Sequence, residues 1–182
     1  MPLTPFHLGP ASFLAVIFWK FLNFWALVLG SSIMDLEPLL IRIFPRICYQ
    51  CRPHGFFHTI IGAVLGSIIV TIIVWFFRKT LKKITFNILR QINIKGIEGL
   101  IEKSFSLPVI FFSSLIGWLI HIFFDSLTHY DVYLFWPVLK SNPILIGPSI
   151  YWTISIIFIF IGLISLILAY IIYKNINKNA RH

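Results

Sequence analysis

Four apolar stretches, separated by polar or basic connectors, organise the chain. They run approximately from Ala11 to Gly30, Phe56 to Phe77, Pro108 to Phe124 and Ile150 to Tyr173. Each approaches or exceeds the roughly 20 apolar residues that a helix needs to cross a hydrocarbon core. The fourth carries no charge until Lys174, whereas Lys20 and Asn23 interrupt the first near its centre. We read the first as a single crossing, with Lys20 facing a bundle interior or snorkelling to an interface. The alternative is a pair of short half-helices that turn back. No basic residue precedes the apolar run as in a cleaved signal peptide, so the segment is expected to be retained.

Composition agrees with the pattern. The chain is 58% hydrophobic and 12% charged, with a mean hydropathy of +0.90. A soluble domain carries about 25% charged residues. The expected fold class is therefore all-α: a polytopic membrane protein, one integral domain over 1–182, with about four transmembrane helices.

Charge then orients the chain. The connection from Arg78 to Ser106 carries Arg78, Lys79, Lys82, Lys83, Arg90, Lys95 and Lys103, and the tail adds Lys174, Lys178 and Arg181. The opposite side has Arg42, Arg46, Arg52 and Lys140. Basic loops stay cytoplasmic, which puts both termini inside if the first stretch crosses once. Leu81, Ile84, Ile88 and Ile92 recur at helical spacing among these cations. That makes the connector a basic amphipathic helix suited to anionic lipid, and no nucleic-acid partner is expected despite the net charge of +9. Asn93 to Gly99 contains two glycines and should break this helix.

The chemistry sits at the ends of the spans. Asp35-Leu36-Glu37 follows the first, His54-Gly55-Phe56-Phe57-His58 opens the second and His121-Ile122-Phe123-Phe124-Asp125 closes the third. With four crossings these ends fall on one side of the membrane, which groups them into a single site. Residues four apart share a helix face, so His54/His58 and His121/Asp125 are each expected to aim two ligands at one ion. Asp35 and Glu37, two apart, would point to one side from a loop or extended segment; a helix cap or an ion pair with Arg42 is the structural alternative. Ionisable groups at a bilayer are costly and mark function. Imidazole with carboxylate suits a divalent metal, zinc first, with manganese or iron also compatible. His129, four after Asp125, fits a further ligand or a proton shuttle. His7 joins the site only if the first stretch turns back. Cys48-x2-Cys51 fits a disulfide, inert thiols or a zinc site with His54 and His58. Gly62-x3-Gly66 permits close helix contact, between copies or within one chain. There is no nucleophile-elbow, phosphate-loop or dinucleotide motif.

Several of these pieces occur together in a known family. Pro5-Phe6-His7-Leu8-Gly9-Pro10, Asp35-Leu36-Glu37-Pro38, His54-Gly55-Phe56-Phe57-His58-Thr59, Gly117-x3-His121-x3-Asp125-Ser126 and Phe135-Trp136-Pro137 resemble the prokaryotic membrane-bound metal-dependent hydrolases of the YdjM type. The resemblance implies a small helical inner-membrane protein with a divalent metal and hydrolytic activity. It implies His58, His121 and Asp125 as ligands, with Asp35 and Glu37 beside them. Two departures stand out. An Asp-x-Asp step reads Asp-x-Glu here, and the His-Arg-Gly-x-x-His pattern reads Pro53-His54-Gly55-Phe56-Phe57-His58. His54 is thus a ligand on spacing alone.

The chemistry expected is attack of a metal-activated water on an ester, amide or phosphoester. Glu37 or Asp35 serves as proton acceptor, Asp35 alternatively binding a second ion, and His129 protonates the leaving group. At a bilayer interface, where Tyr133 and Trp136 suit the headgroup zone, a lipid-linked or amphiphilic substrate is expected. The competing reading is metal binding without bond cleavage, as in a transporter, a sensor or a structural clamp.

Overall fold

A computed structural model describes residues 7–44, 54–90 and 97–179. Cys48 and Cys51 lie outside the described residues, as do Ile92 and most of the break expected after it. The described residues form helices and no strand: α1 (Leu8–Ile17), α2 (Phe24–Ser32), α3 (Leu36–Ile43), α4 (Ile60–Phe76), α5 (Arg78–Arg90), α6 (Ile97–Ser104), α7 (Leu107–Thr128) and α8 (Tyr151–Asn179). The all-α membrane fold is as expected. Among the described residues, three helical segments are long and apolar enough to cross a membrane: Phe24–Ile43, Leu107–Thr128 and Pro148–Ile172. The count becomes four if α4 and the start of α5 form one span, bent by 74°.

The first apolar stretch is not one helix. The chain breaks after Ile17 into a turn over 18–23 and resumes as α2. The residues that looked like blemishes in a span are the reason. Lys20 is exposed in the turn. Asn23 caps α2 by accepting from the Ala26 amide at 2.9 Å, and its Nδ2 donates to the Ser104 carbonyl at 3.0 Å. α1 and α2 thus make a hairpin, and His7 and Asp35 return to the same end of the molecule. The N-terminal end of α1 therefore lies with the site and not with the C-terminus of α8, contrary to the single-crossing expectation.

α7 is the axis on which the rest is hung. Its buried positions, Ile110, Ser113, Ser114, Gly117, Trp118, His121, Ile122, Asp125, Ser126 and Thr128, recur every three or four residues. Much of that stripe is small, as close helix contact in lipid requires, while Phe112, Leu119 and Phe123 face outward. α2 runs parallel to α7 with Asn23 at Ser113, Leu27 at Gly117 and Ser31 at His121. A Cβ on Gly117 would strike the Leu27 carbonyl. On the other flank, α4 meets the Trp118 ring where Gly66 leaves room for it. The Gly62-x3-Gly66 motif is therefore used within this chain.

The basic connector is helical as expected. Leu81 and Phe86 pack on the core, Ile88 is exposed, and Lys82 pairs with Glu102 of α6. Its apolar residues are thus divided between the bundle and the surface.

Candidate metal centre

α7 delivers the first half of the site directly. His121 and Asp125 lie one turn apart on its buried face, with Nε2 and Oδ2 at 3.0 Å. The His121 Nδ1 donates to the Ser31 carbonyl at 2.6 Å. A carbonyl only accepts, so Nδ1 carries the hydrogen and Nε2 is turned toward Asp125.

The second half comes from irregular chain. His54 and His58 do not share a helix face: His54 stands in a bend, and Phe56–His58 is a 3₁₀ turn that ends before α4. Thr59, which caps α4 by accepting from the Gly62 amide at 2.9 Å, prevents the helix from reaching back to His54. Both rings nevertheless reach Asp125, because other groups hold them. Glu37 Oε2 accepts from His58 Nδ1 at 3.0 Å and from the Gly55 amide at 3.1 Å. Asp131 accepts from His54 Nδ1 at 2.9 Å and from the His54 amide at 3.2 Å. Trp118 Nε1 donates to the Phe57 carbonyl at 2.9 Å.

Three imidazoles are thus fixed in the same sense. Each gives Nδ1–H to an outer acceptor and presents Nε2 to Asp125 Oδ2, at 3.0 Å from His121, 3.7 Å from His58 and 3.9 Å from His54. His58 Nε2 is buried and has no hydrogen-bond partner. A nitrogen in that state requires a proton with an acceptor or a cation. Ligand atoms of Asp35, His58, His121 and Asp125 all lie within 4.8 Å of one another, as do those of His54, Asp125 and His129. The mixed nitrogen and oxygen donor set fits a divalent ion such as zinc, manganese or iron.

The acids are not in an extended segment. Asp35 ends a 3₁₀ turn and Glu37 sits in the first turn of α3. Asp35 Oδ1 approaches His121 Nε2 at 3.3 Å, whereas Glu37 pairs with His58 and not with Arg42. His129 follows the end of α7 and stacks on His54, with ring centroids 4.5 Å apart. Burial lowers the pKa of this imidazole and outweighs the upward pull of Asp125. His7, conditional on the hairpin, is in the cluster: its Nε2 is 3.2 Å from Asp125 Oδ1 and its ring stacks on His121 at 3.9 Å.

Asp131 and Trp118 were given no role by their spacing. Burial by itself would raise the Asp131 carboxyl, but the bonds from His54 overcome it and hold the pKa at about 2. A cavity of about 360 Å³ opens beside His54, lined also by Phe56, Tyr133, Trp136 and Lys140. Its wall combines aromatic faces with one cation.

Comparison with curated proteins and with solved structures found no match. The model of the YdjM inner membrane protein family matches residues 6–181, and the chain belongs to that family.

Proposed function

We propose that the protein is a metal-dependent hydrolase acting at one face of the bilayer, on an ester or phosphoester borne by an amphiphile. One observation carries the reading: the Nε2 atoms of His121, His58 and His54 converge on Asp125 while each Nδ1 is tied to an acceptor outside the cluster. Outer partners of this kind orient metal-binding imidazoles and fix their tautomer.

His58, His121 and Asp125 hold the ion, the three-residue set that leaves a position open for chemistry. A divalent ion bound there would lower the pKa of a coordinated water and polarise the scissile group. Asp35, whose carboxylate lies against His121 Nε2, accepts the proton. Glu37 is a positioning residue, because its oxygens already take His58 Nδ1 and the Gly55 amide, with the Phe57 amide at 3.5 Å. The cavity beside His54 suits an amphiphile, whose apolar part meets Phe56 and Trp136 and whose anionic part meets Lys140.

The hairpin strengthens the orientation argument, since Lys20 joins Arg78, Lys79, Lys82, Lys83 and Lys103 at the end opposite the site. The basic end is therefore proposed to be cytoplasmic, with the C-terminus, and the site to face the exterior or periplasm. A conduit is less well supported. α8 carries no ionisable group apart from tyrosines until Lys174, and the acid–histidine cluster is confined to one end.

The test is hydrolysis of short-chain esters and phosphoesters by zinc-loaded protein in lipid vesicles, wild type beside Asp35→Asn. We expect the variant to keep its metal and to lose roughly 10²–10⁴-fold in rate. Stoichiometric metal without turnover of any of these substrates would reduce the reading to metal binding alone.

A further inference from the structure

Asp125 is shared by two sets of donors that have no other member in common. One is Asp35, His58 and His121; the other is His54 and His129. A zinc-type ion takes donors at about 2.0–2.2 Å and usually four of them. One ion held by His58, His121 and Asp125, with its fourth position open as proposed above, thus draws on neither His54 nor His129. Yet these two rings are not scattered beside the site. His54 is fixed by two bonds to Asp131, one from its ring at 2.9 Å and one from its amide at 3.2 Å, which leaves Nε2 directed at Asp125. His129 lies face to face with it, the ring planes 23° apart. The backbone of His129 is set by the end of α7, because its amide donates to the Asp125 carbonyl at 2.8 Å and its own carbonyl accepts from Asn142 at 2.8 Å. Two imidazoles and a carboxylate within ligand reach of each other match the first set but for Asp35.

We infer that the site binds two divalent ions, with His58 and His121 holding one, His54 and His129 holding the other, and Asp125 bridging them. The inference rests on the metal reading above and extends it. His129 is then a ligand and not a shuttle. Asp131 does for the second ion what Glu37 does for the first, by orienting a histidine through Nδ1. The repetition of that device on both sides of Asp125 separates a second site from an incidental histidine pair. The two sets meet at one oxygen: Asp125 Oδ2 faces His58 and His121 of the first and His54 of the second, while Oδ1 faces His7 at 3.2 Å.

The decisive experiment loads metal-free, detergent-purified protein with manganese(II). Bound metal is counted by mass spectrometry and the spectrum is recorded by electron paramagnetic resonance. Two ions per chain with an exchange-coupled spectrum are expected for the wild type. His129→Ala, which spares both backbone bonds at that position, should bind one ion and give the spectrum of an isolated one. One ion with an uncoupled spectrum in the wild type overturns the second site and leaves the single-ion reading intact. Two ions retained in His129→Ala overturn the ligand assignment. No bound manganese or zinc in the wild type overturns both readings together. The wild-type spectrum decides the matter even if the variant does not fold.

Discussion

His121 and Asp125 reach the site from one face of α7, while His54 and His58 reach it from a bend and a 3₁₀ turn. The helix-borne pair needs little support, since a turn of helix already puts Nε2 and Oδ2 at 3.0 Å. The loop-borne pair has no such frame. It is held by Glu37, by Asp131 and by Trp118, three side chains from three other places in the chain. One half of the site is therefore specified locally and the other by tertiary contact. Substitutions outside the ligands should damage the two halves unequally.

The largest effect should come where the halves meet. Asp125→Ala removes the carboxylate that His7, His54, His58 and His121 all approach. Bound metal, measured by mass spectrometry on purified protein, should fall to background. The variant should also be less stable, because buried imidazoles lose their partner. Near-stoichiometric metal in Asp125→Ala would end the idea of a common centre.

A step smaller is the loss of an outer support. Glu37→Ala strands His58 Nδ1 and the Gly55 amide, and we expect metal affinity to drop about 10–100-fold. Glu37→Gln, which keeps an acceptor, should recover part of it. His121 has no comparable weak point, because its outer acceptor is the Ser31 backbone carbonyl and survives any side-chain change there. Affinity that is indifferent to Glu37→Ala would show that the loop half needs no such holding.

Acid should act on the ligands before it acts on their supports. Asp131 is depressed from its ordinary value of 3.8 to about 2 in the folded chain. A carboxyl shifted downward contributes stability that is complete above 3.8 and is lost only as pH falls through about 2. Its hold on His54 is therefore constant from neutral pH to well below the imidazole range. Imidazole binds metal only when neutral, so competition titrations should show affinity falling as the solution is acidified, by more than one proton per ion. Affinity that is indifferent to acid would argue against histidine ligands.

The same local and tertiary division governs what the sequence discloses. The His121/Asp125 pair could be read from its spacing because the helix supplies the geometry. The grouping of the three clusters followed from the ends of the apolar stretches, and it survives even though the first stretch is a hairpin. That hairpin had its own signal in Lys20 and Asn23, a turn cation and a helix cap, but a long apolar run hides a break when hydropathy alone is followed. His7 depended on the same point. Asp131 carried no signal, because nothing in Thr128-His129-Tyr130-Asp131 says which distant ring its carboxylate will meet. The Ser31 carbonyl is a main-chain group and has no sequence signature at all. The equal spacing of His54 and His58 suggested a helix face that Thr59, as a cap, does not allow to form.

The smallest effect should separate the halves most cleanly, because it compares two substitutions of similar cost. Trp118→Phe keeps an aromatic ring against Gly66 but removes the hydrogen bond to the Phe57 carbonyl, one residue before His58. A lost bond of this kind costs about 1 kcal/mol. Ile122→Val, one residue beyond His121 and fully buried, costs a similar 0.5–1.5 kcal/mol or so by leaving a small void. Both variants should lower the unfolding temperature by comparable amounts. Only Trp118→Phe should weaken metal binding, by a few-fold, since it alone loosens the segment that no helix holds. If Ile122→Val weakened binding as much, the helix-borne pair would be no better fixed than the loop, and the division of the site into a self-supporting half and a supported half would fail.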